Sequence, residues 1–133
     1  MNATEATDAH QLHGAQVVLM VEDVKKTVDF YCDVLGFHLD FDWGSPPTHA
    51  RVSSGDREHA SAARIRFQRA EPALLAQKTC SIYLHIGVGM DELFQEFKFR
   101  GVEIVEEPND RPWGRQFGIR DINGYVLSFL TSG

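Results

Sequence analysis

One pattern, strand then capped helix then glycine stop then strand, occurs twice in this chain, and the duplication limits the folds open to it. The first copy begins with Gln16-Val17-Val18-Leu19-Met20-Val21, an apolar run read as a strand. Asp23 follows, with a side-chain oxygen able to cap a helix. Val24, Val28, Tyr31 and Leu35 then recur at helical spacing. Gly36 stands where a left-handed residue ends a helix. The stretch from Phe37 to Trp43 alternates as a strand does. Gly44-Ser45-Pro46-Pro47 breaks it, and two more strands are expected near Ala50 to Ser53 and near Ala62 to Gln68.

The second copy begins Ser81-Ile82-Tyr83-Leu84-His85-Ile86. Its helix carries Met90, Leu93, Phe94 and Phe97 on one face, Gly101 ends it, and Val102 to Val105 is extended. A hairpin closes the unit. Arg115 to Arg120 is extended, Asp121 to Gly124 turns because Asn-Gly supplies positive φ, and Val126 to Leu130 returns as an apolar strand. The segment Arg69 to Lys78, with Pro72, reads as the linker. Two βαβββ modules of this kind define an α+β fold, with a helix against one face of each sheet.

Bulk properties narrow the function. A chain of 133 residues suits one domain, here residues 15–133, with modules at about 15–70 and 79–132. Residues 1–14 are polar and mixed in charge, without an apolar core, and read as a disordered tail rather than a secretory signal. His10 and His13 fall in that tail and are expected to be solvated. A formal charge of −6 argues against a nucleic-acid partner, because no basic stripe is present to neutralise phosphates. There is no run of about 18 apolar residues, so no membrane span is expected. Cys32 and Cys80 are the only cysteines and read as reduced thiols in a cytoplasmic protein.

The closing run Pro112-Trp113-Gly114-Arg115-x-Phe117-x-x-Arg120-Asp121-x-x-Gly124 resembles the last hairpin of the vicinal oxygen chelate superfamily. That group holds glyoxalase I, extradiol dioxygenases, fosfomycin-resistance enzymes and bleomycin-binding proteins, and the bleomycin-resistance branch is the most similar. The stretch Val21-Glu22-Asp23-Val24 through Phe30-Tyr31 to Leu35-Gly36-Phe37 resembles the family's opening signature. Gly89-Met90-Asp91-Glu92-Leu93-Phe94 is similar to the second helix of that branch. The resemblance implies a cup-shaped mixed sheet with helices outside. It also implies a homodimer, in some members with modules exchanged between chains.

Metal-using members of the family place imidazole and carboxylate ligands on the first and last strands of each module. By that resemblance the first-strand position is Gln16, and the last-strand position of the second module is Ser128, where others carry glutamate. The strand Ala63 to Gln68 has no carboxylate. His85 shares a face with Ser81 and Tyr83 by alternation, in a strand whose register the sequence leaves open. Gln16 and His85 are then the only two ligand candidates, too few for a catalytic ion. The expectation is no metal and no cofactor, with His85 a hydrogen-bonded wall residue.

What remains is a pocket for a small-molecule ligand. Gln16, Tyr83, His85 and Ser128 are its polar and aromatic lining, and Trp43 and Trp113 are rim aromatics able to stack on flat ligands. Arg64 and Arg66 share one strand face, opposite Ile65 and Phe67, and if inward would suit an anionic ligand. Arg115 is read either as a ligand contact or as an ion pair that orders the turn. Asp40, Asp42, Glu106 and Glu107 are acids placed to make the mouth suit a cation instead. The expected function is metal-independent binding, with sequestration of a drug or toxin by a cytoplasmic homodimer. The alternative is a metal-dependent lyase, isomerase or dioxygenase of the same superfamily. Whether the chain is an enzyme stays open at this point, with the standard metal ligands missing.

Overall fold

The computed structural model describes residues 16–55, 62–76 and 81–131. Expectations for residues 1–14, including His10 and His13, and for Cys80 lie outside the described residues. The first module runs β1 (Gln16–Val21), α1 (Val24–Asp29), β2 (His38–Trp43), β3 (His49–Ser53) and β4 (Arg64–Arg69). A short helix, α2 (Pro72–Leu75), occupies part of the expected linker, because Pro72 at its start presets a helical φ. The second module runs β5 (Ser81–His85), α3 (Met90–Phe99), β6 (Glu103–Arg111), β7 (Gly114–Arg120) and β8 (Val126–Leu130).

Each module builds its own four-stranded mixed sheet, in the orders β1-β4-β3-β2 and β5-β8-β7-β6. In both, the first strand lies parallel to the last, and the remaining neighbours are antiparallel. The same order twice is what a duplicated unit requires, and the α+β architecture of two βαβββ modules is the one expected. β6 extends well beyond Val105 and tolerates Pro108, because it is an edge strand and its ladder to β7 shifts register on either side of Glu106.

Local chemistry accounts for the helix. The Asp23 carboxylate accepts the Lys26 backbone N–H at 3.0 Å, satisfying one of the orphan donors of α1. Beyond Asp29 the chain widens into one π-helical turn, Phe30–Val34, before Gly36 stops it at φ +84°. Val24, Val28, Tyr31 and Leu35 are all buried, as their spacing predicts.

The helices cover one face of each sheet. Leu19, Val21, Val52, Ile65 and Phe67 meet Tyr31 in the first module, where the Tyr31 and Phe67 ring centroids are 4.8 Å apart. In the second, Phe117 stacks on Phe129 at 4.9 Å, while Phe94 and Phe97 of α3 close in at 5.7 and 5.6 Å. Each such ring contributes roughly 1.5–3 kcal/mol through burial. The modules join where the turn between β7 and β8 docks on the first module. Asn123 Nδ2 donates to Thr27 Oγ1 at 3.0 Å, and the Tyr125 hydroxyl to the Met20 carbonyl at 2.7 Å. With one face of each sheet used for the core, the opposite face of each stays open.

Candidate functional site

On the open face of the first sheet, strand register sets side chains in cross-strand rows. Val18, Arg66, Arg51 and Phe41 form one row; Met20, Gln68, His49 and Trp43 form the next; Gln16, Arg64, Ser53 and His38 form a third. Arg64 and Arg66 therefore do lie opposite the buried Ile65 and Phe67. The row through Phe41 exists because β2 carries a bulge between Leu39 and Phe41. The extra residue, Asp40, turns its carboxylate onto Arg51 Nε at 3.0 Å and Ser53 Oγ at 2.9 Å. Both Arg51 and Arg66 hold their guanidinium carbons 5.4 Å from the Phe41 ring centroid.

Trp43 sits beyond Phe41 with its ring 5.8 Å from His49, edge to face, and is 68% exposed. Phe41, Asp42, Trp43, His49 and Arg66 line an open cleft of about 520 Å³. Asp42 pairs with Ala50, so by alternation its side chain leaves toward the other face. Arg51 is charge-matched by Asp40, whereas Arg66 has no acidic partner among the described residues.

The open face of the second sheet is built the same way. Tyr83, Ser128, Gly118 and Glu106 form one row, and His85, Leu130, Gln116 and Asn109 the next. A chain of hydrogen bonds fixes its rim. Trp113 Nε1 donates to Gln116 Oε1 at 2.7 Å, and Gln116 Nε2 donates to Glu106 Oε1 at 2.7 Å. Arg111 pairs with Glu106 and lies 5.7 Å from the Trp113 ring centroid. Asn109 Nδ2 adds a bond to Glu106 at 3.0 Å. The Gln116 hydrogen bond, with help from Arg111 and Asn109 against a desolvation penalty, holds the Glu106 carboxyl below the usual glutamate range.

The sequence-derived candidates thus divide between two faces. Gln16, Trp43 and Arg66 belong to the first; Tyr83, His85, Trp113 and Ser128 belong to the second. Among the described residues, Phe41, Trp43 and Arg66 share no hydrogen bond or ring contact with Tyr83, Trp113 or Gln116. His85 is exposed, lines the cavity at the seam of the modules and, among the described residues, makes no hydrogen bond. Arg115 shows the ion pair of the two roles open to it. It alternates with Gln116 onto the helix side of β7, where its guanidinium bridges Asp91 of α3 at 3.2 Å and Asp110 at 3.1 Å. It braces the hairpin against the helix instead. Phe41, Arg51, His49 and Gln116 were not singled out from the sequence. The aromatic Phe41-x-Trp43 spacing was the signal for the first, and nothing local announces the others.

The donor chemistry does not fit a divalent metal. Gln16 is set beside Arg64, and the second-module position pairs Tyr83 with Ser128, neither of them a ligand suited to such an ion. Among the described residues, no group of three or more His, Cys, Asp or Glu side chains is placed to hold one. The half-buried Cys32 thiol is pushed up by burial and by Asp33, which leaves it a poor nucleophile. A second cavity, about 220 Å³ and mostly apolar, opens at the seam of the modules between Leu35, Phe37, Leu84, Ile86 and Phe129. No helix among the described residues is long and apolar enough to cross a membrane.

Comparison with known proteins adds the following. The family model for the Glyoxalase/Bleomycin resistance protein/Dioxygenase superfamily matches residues 14–129. The bleomycin-binding protein from bleomycin-producing Streptomyces verticillus, solved in complex with copper(II)-bleomycin, is 28% identical with a TM-score of 0.73, over 92% of this chain and 98% of that one. TnmS3, an antibiotic binding protein from Streptomyces sp. CB03234, superposes with a TM-score of 0.75 at 23% identity, over 92% and 97%. TioX from Micromonospora sp. ML1 gives 0.68 at 25% identity, over 90% and 95%. No curated protein matches the chain.

Proposed function

The chain belongs to the glyoxalase/bleomycin resistance/dioxygenase superfamily, and from that premise we propose that it is a metal-independent small-molecule-binding protein that sequesters a drug or toxin. The observation that carries this is the set of aromatic side chains held out on the two open sheet faces. Phe41, Trp43, Tyr83 and Trp113 are 37%, 68%, 56% and 52% exposed. Large rings left in water on built, hydrogen-bonded surfaces mark a place where something else packs.

Support also comes from the solved bleomycin-binding protein, similar over nearly its whole length. The unsuited metal donors favour binding over the metal-dependent lyase, isomerase or dioxygenase alternative. Among the described residues the two half-faces of one chain share no hydrogen bond or ring contact, which is the reason to infer a homodimer, taken as cytoplasmic from its reading as a protein with reduced thiols. In it the first-module face of one chain would stand opposite the second-module face of its partner, and a planar or amphipathic ligand would lie between them. A large cationic glycopeptide fits the charges less well, because Asp40 is held by Arg51 and Glu106 by Arg111.

The test is a thermal-shift screen of planar antibiotics, run beside metal analysis of protein purified without chelators. A ligand at a hundred times its Kd adds about 2.7 kcal/mol to stability, a clear rise in melting temperature that Trp43→Ala or Trp113→Ala should abolish. Metal content should stay well below one equivalent per chain. Stoichiometric metal that is lost in a Gln16→Ala or His85→Ala variant would overturn this reading in favour of an enzyme.

A further inference from the structure

We infer that the first-module cleft selects flat aromatic ligands that carry an anionic group, with Arg66 as the counter-charge and Phe41 and Trp43 as the stacking surfaces. This deepens the binding function proposed above and rests on it. It begins with a charge count across one row of the sheet. Arg51 and Arg66 are cross-strand neighbours, both over Phe41. Asp40 is the acid between them and the strand edge, and its side chain is only 8% exposed. Among the described residues it accepts from Arg51 and Ser53, both on β3. One guanidinium is neutralised and the other is not. Arg66 therefore leaves one positive charge on the cleft wall.

Geometry converts that charge into selectivity. A guanidinium held over a ring has its plane partly fixed, so less freedom is lost when its fork meets a carboxylate. It is half-buried beside Val18, so water screens it less than a free surface arginine. The Trp43 and His49 rings meet edge to face at an interplanar angle of 65°, and Trp43 stays 68% exposed, with ring surface left to stack. His49 itself is tied by a 3.0 Å hydrogen bond to Thr48, so that wall is preset. The volume of about 520 Å³ lies within the usual range of ligand pockets. The formal charge of −6 on the whole chain opposes an anion at long range. The preference must then come from short-range contact with Arg66, so it should survive physiological salt.

Three probes of one ring system separate charge from stacking: anthracene-2-carboxylate, its neutral carboxamide, and the aminomethyl cation. Their affinities for the full chain are measured by titration calorimetry at about 0.15 M salt. The carboxylate should bind about tenfold or more tighter than the amide, and the amine more weakly than either. In Arg66→Gln the carboxylate should fall to the level of the amide. A circular dichroism spectrum and melting temperature like wild type show that the fold survives the substitution. Amide or amine binding as tight as the carboxylate, or a carboxylate preference retained in Arg66→Gln, overturns the inference and leaves small-molecule binding standing. Failure of all three ring probes, together with an empty antibiotic screen, removes the binding function itself.

Discussion

The Tyr31 hydroxyl donates to Asp121 Oδ2 at 2.7 Å across 90 residues of sequence, and both side chains are buried. The bond ties the helical segment of the first module to the closing turn of the second. Asp121 also accepts the backbone N–H groups of Asn123 and Tyr125 at 2.9 and 2.8 Å, so one carboxylate both shapes the turn and docks it. Burial and the Asp121 charge push the Tyr31 phenol far above its ordinary value, so it remains a donor throughout the range in which the protein is handled. Tyr31→Phe removes only that donor. It should destabilise the fold by about 1–3 kcal/mol, seen as a fall of several degrees in the melting temperature by circular dichroism. An unchanged melting temperature would mean that apolar packing and the Asn123–Thr27 and Tyr125–Met20 bonds hold the modules without it.

Strict alternation from Phe37 would put Phe41 and Trp43 on the same side as Phe37, which is 6% exposed and faces the core. The single extra residue at Asp40 reverses this and sends both rings to the open face. Deleting Asp40 should therefore turn Trp43 away from the cleft. In a Trp113→Phe background, acrylamide quenching of Trp43 should drop, since the ring is now 68% exposed. Unchanged quenching with an intact circular dichroism spectrum would show that the bulge does not set the face.

That bulge marks the limit of what the sequence makes legible. Strands, caps and stops are local events, so Asp23, Gly36 and the Asn123-Gly124 turn announced the duplicated modules directly. The faces of Arg64 and Arg66 followed from period two, because Ile65 and Phe67 between them had to be buried. The faces of Phe41 and Trp43 did not, because a bulge depends on a partner strand that one strand's pattern cannot contain. Arg115 left two readings open for a related reason. Its motif position is conspicuous, but its partner Asp91 lies on a helix 24 residues earlier. The Glu106–Gln116–Trp113 chain is equally invisible, since it needs the β6–β7 register before its members become neighbours.

Glu106 gives a pH signature. Its folded-state value is depressed, chiefly by the Gln116 hydrogen bond and then by Arg111 and Asn109. Its stabilisation is thus fully present above the ordinary glutamate value of about 4.3 and is lost as pH falls through the lower folded-state value. Glu106→Gln cannot titrate, so its melting temperature should decline less steeply than wild type below about pH 4.3. Parallel acid limbs for the two proteins would show that the carboxylate is not held by this network.

Val18 tests whether the open faces are covered by a second copy. It is 47% exposed in one chain and shares its row with Arg66, Arg51 and Phe41. On a face that stays in water, Val18→Lys should change stability by no more than about 0.5 kcal/mol. On a face that meets a partner's second module, Val18→Lys, also neutral in water, buries a second positive charge beside Arg66 and should weaken association by about tenfold or more, because an unpaired charge resists desolvation. Sedimentation equilibrium across a dilution series measures the monomer–dimer constant for both proteins. Two outcomes go together if the faces pair: a dimeric wild type, and a variant that dissociates at higher concentration while keeping its circular dichroism spectrum. A wild-type monomer at every concentration would leave each face to bind its ligand alone, and the cleft over Phe41 would then be the complete site.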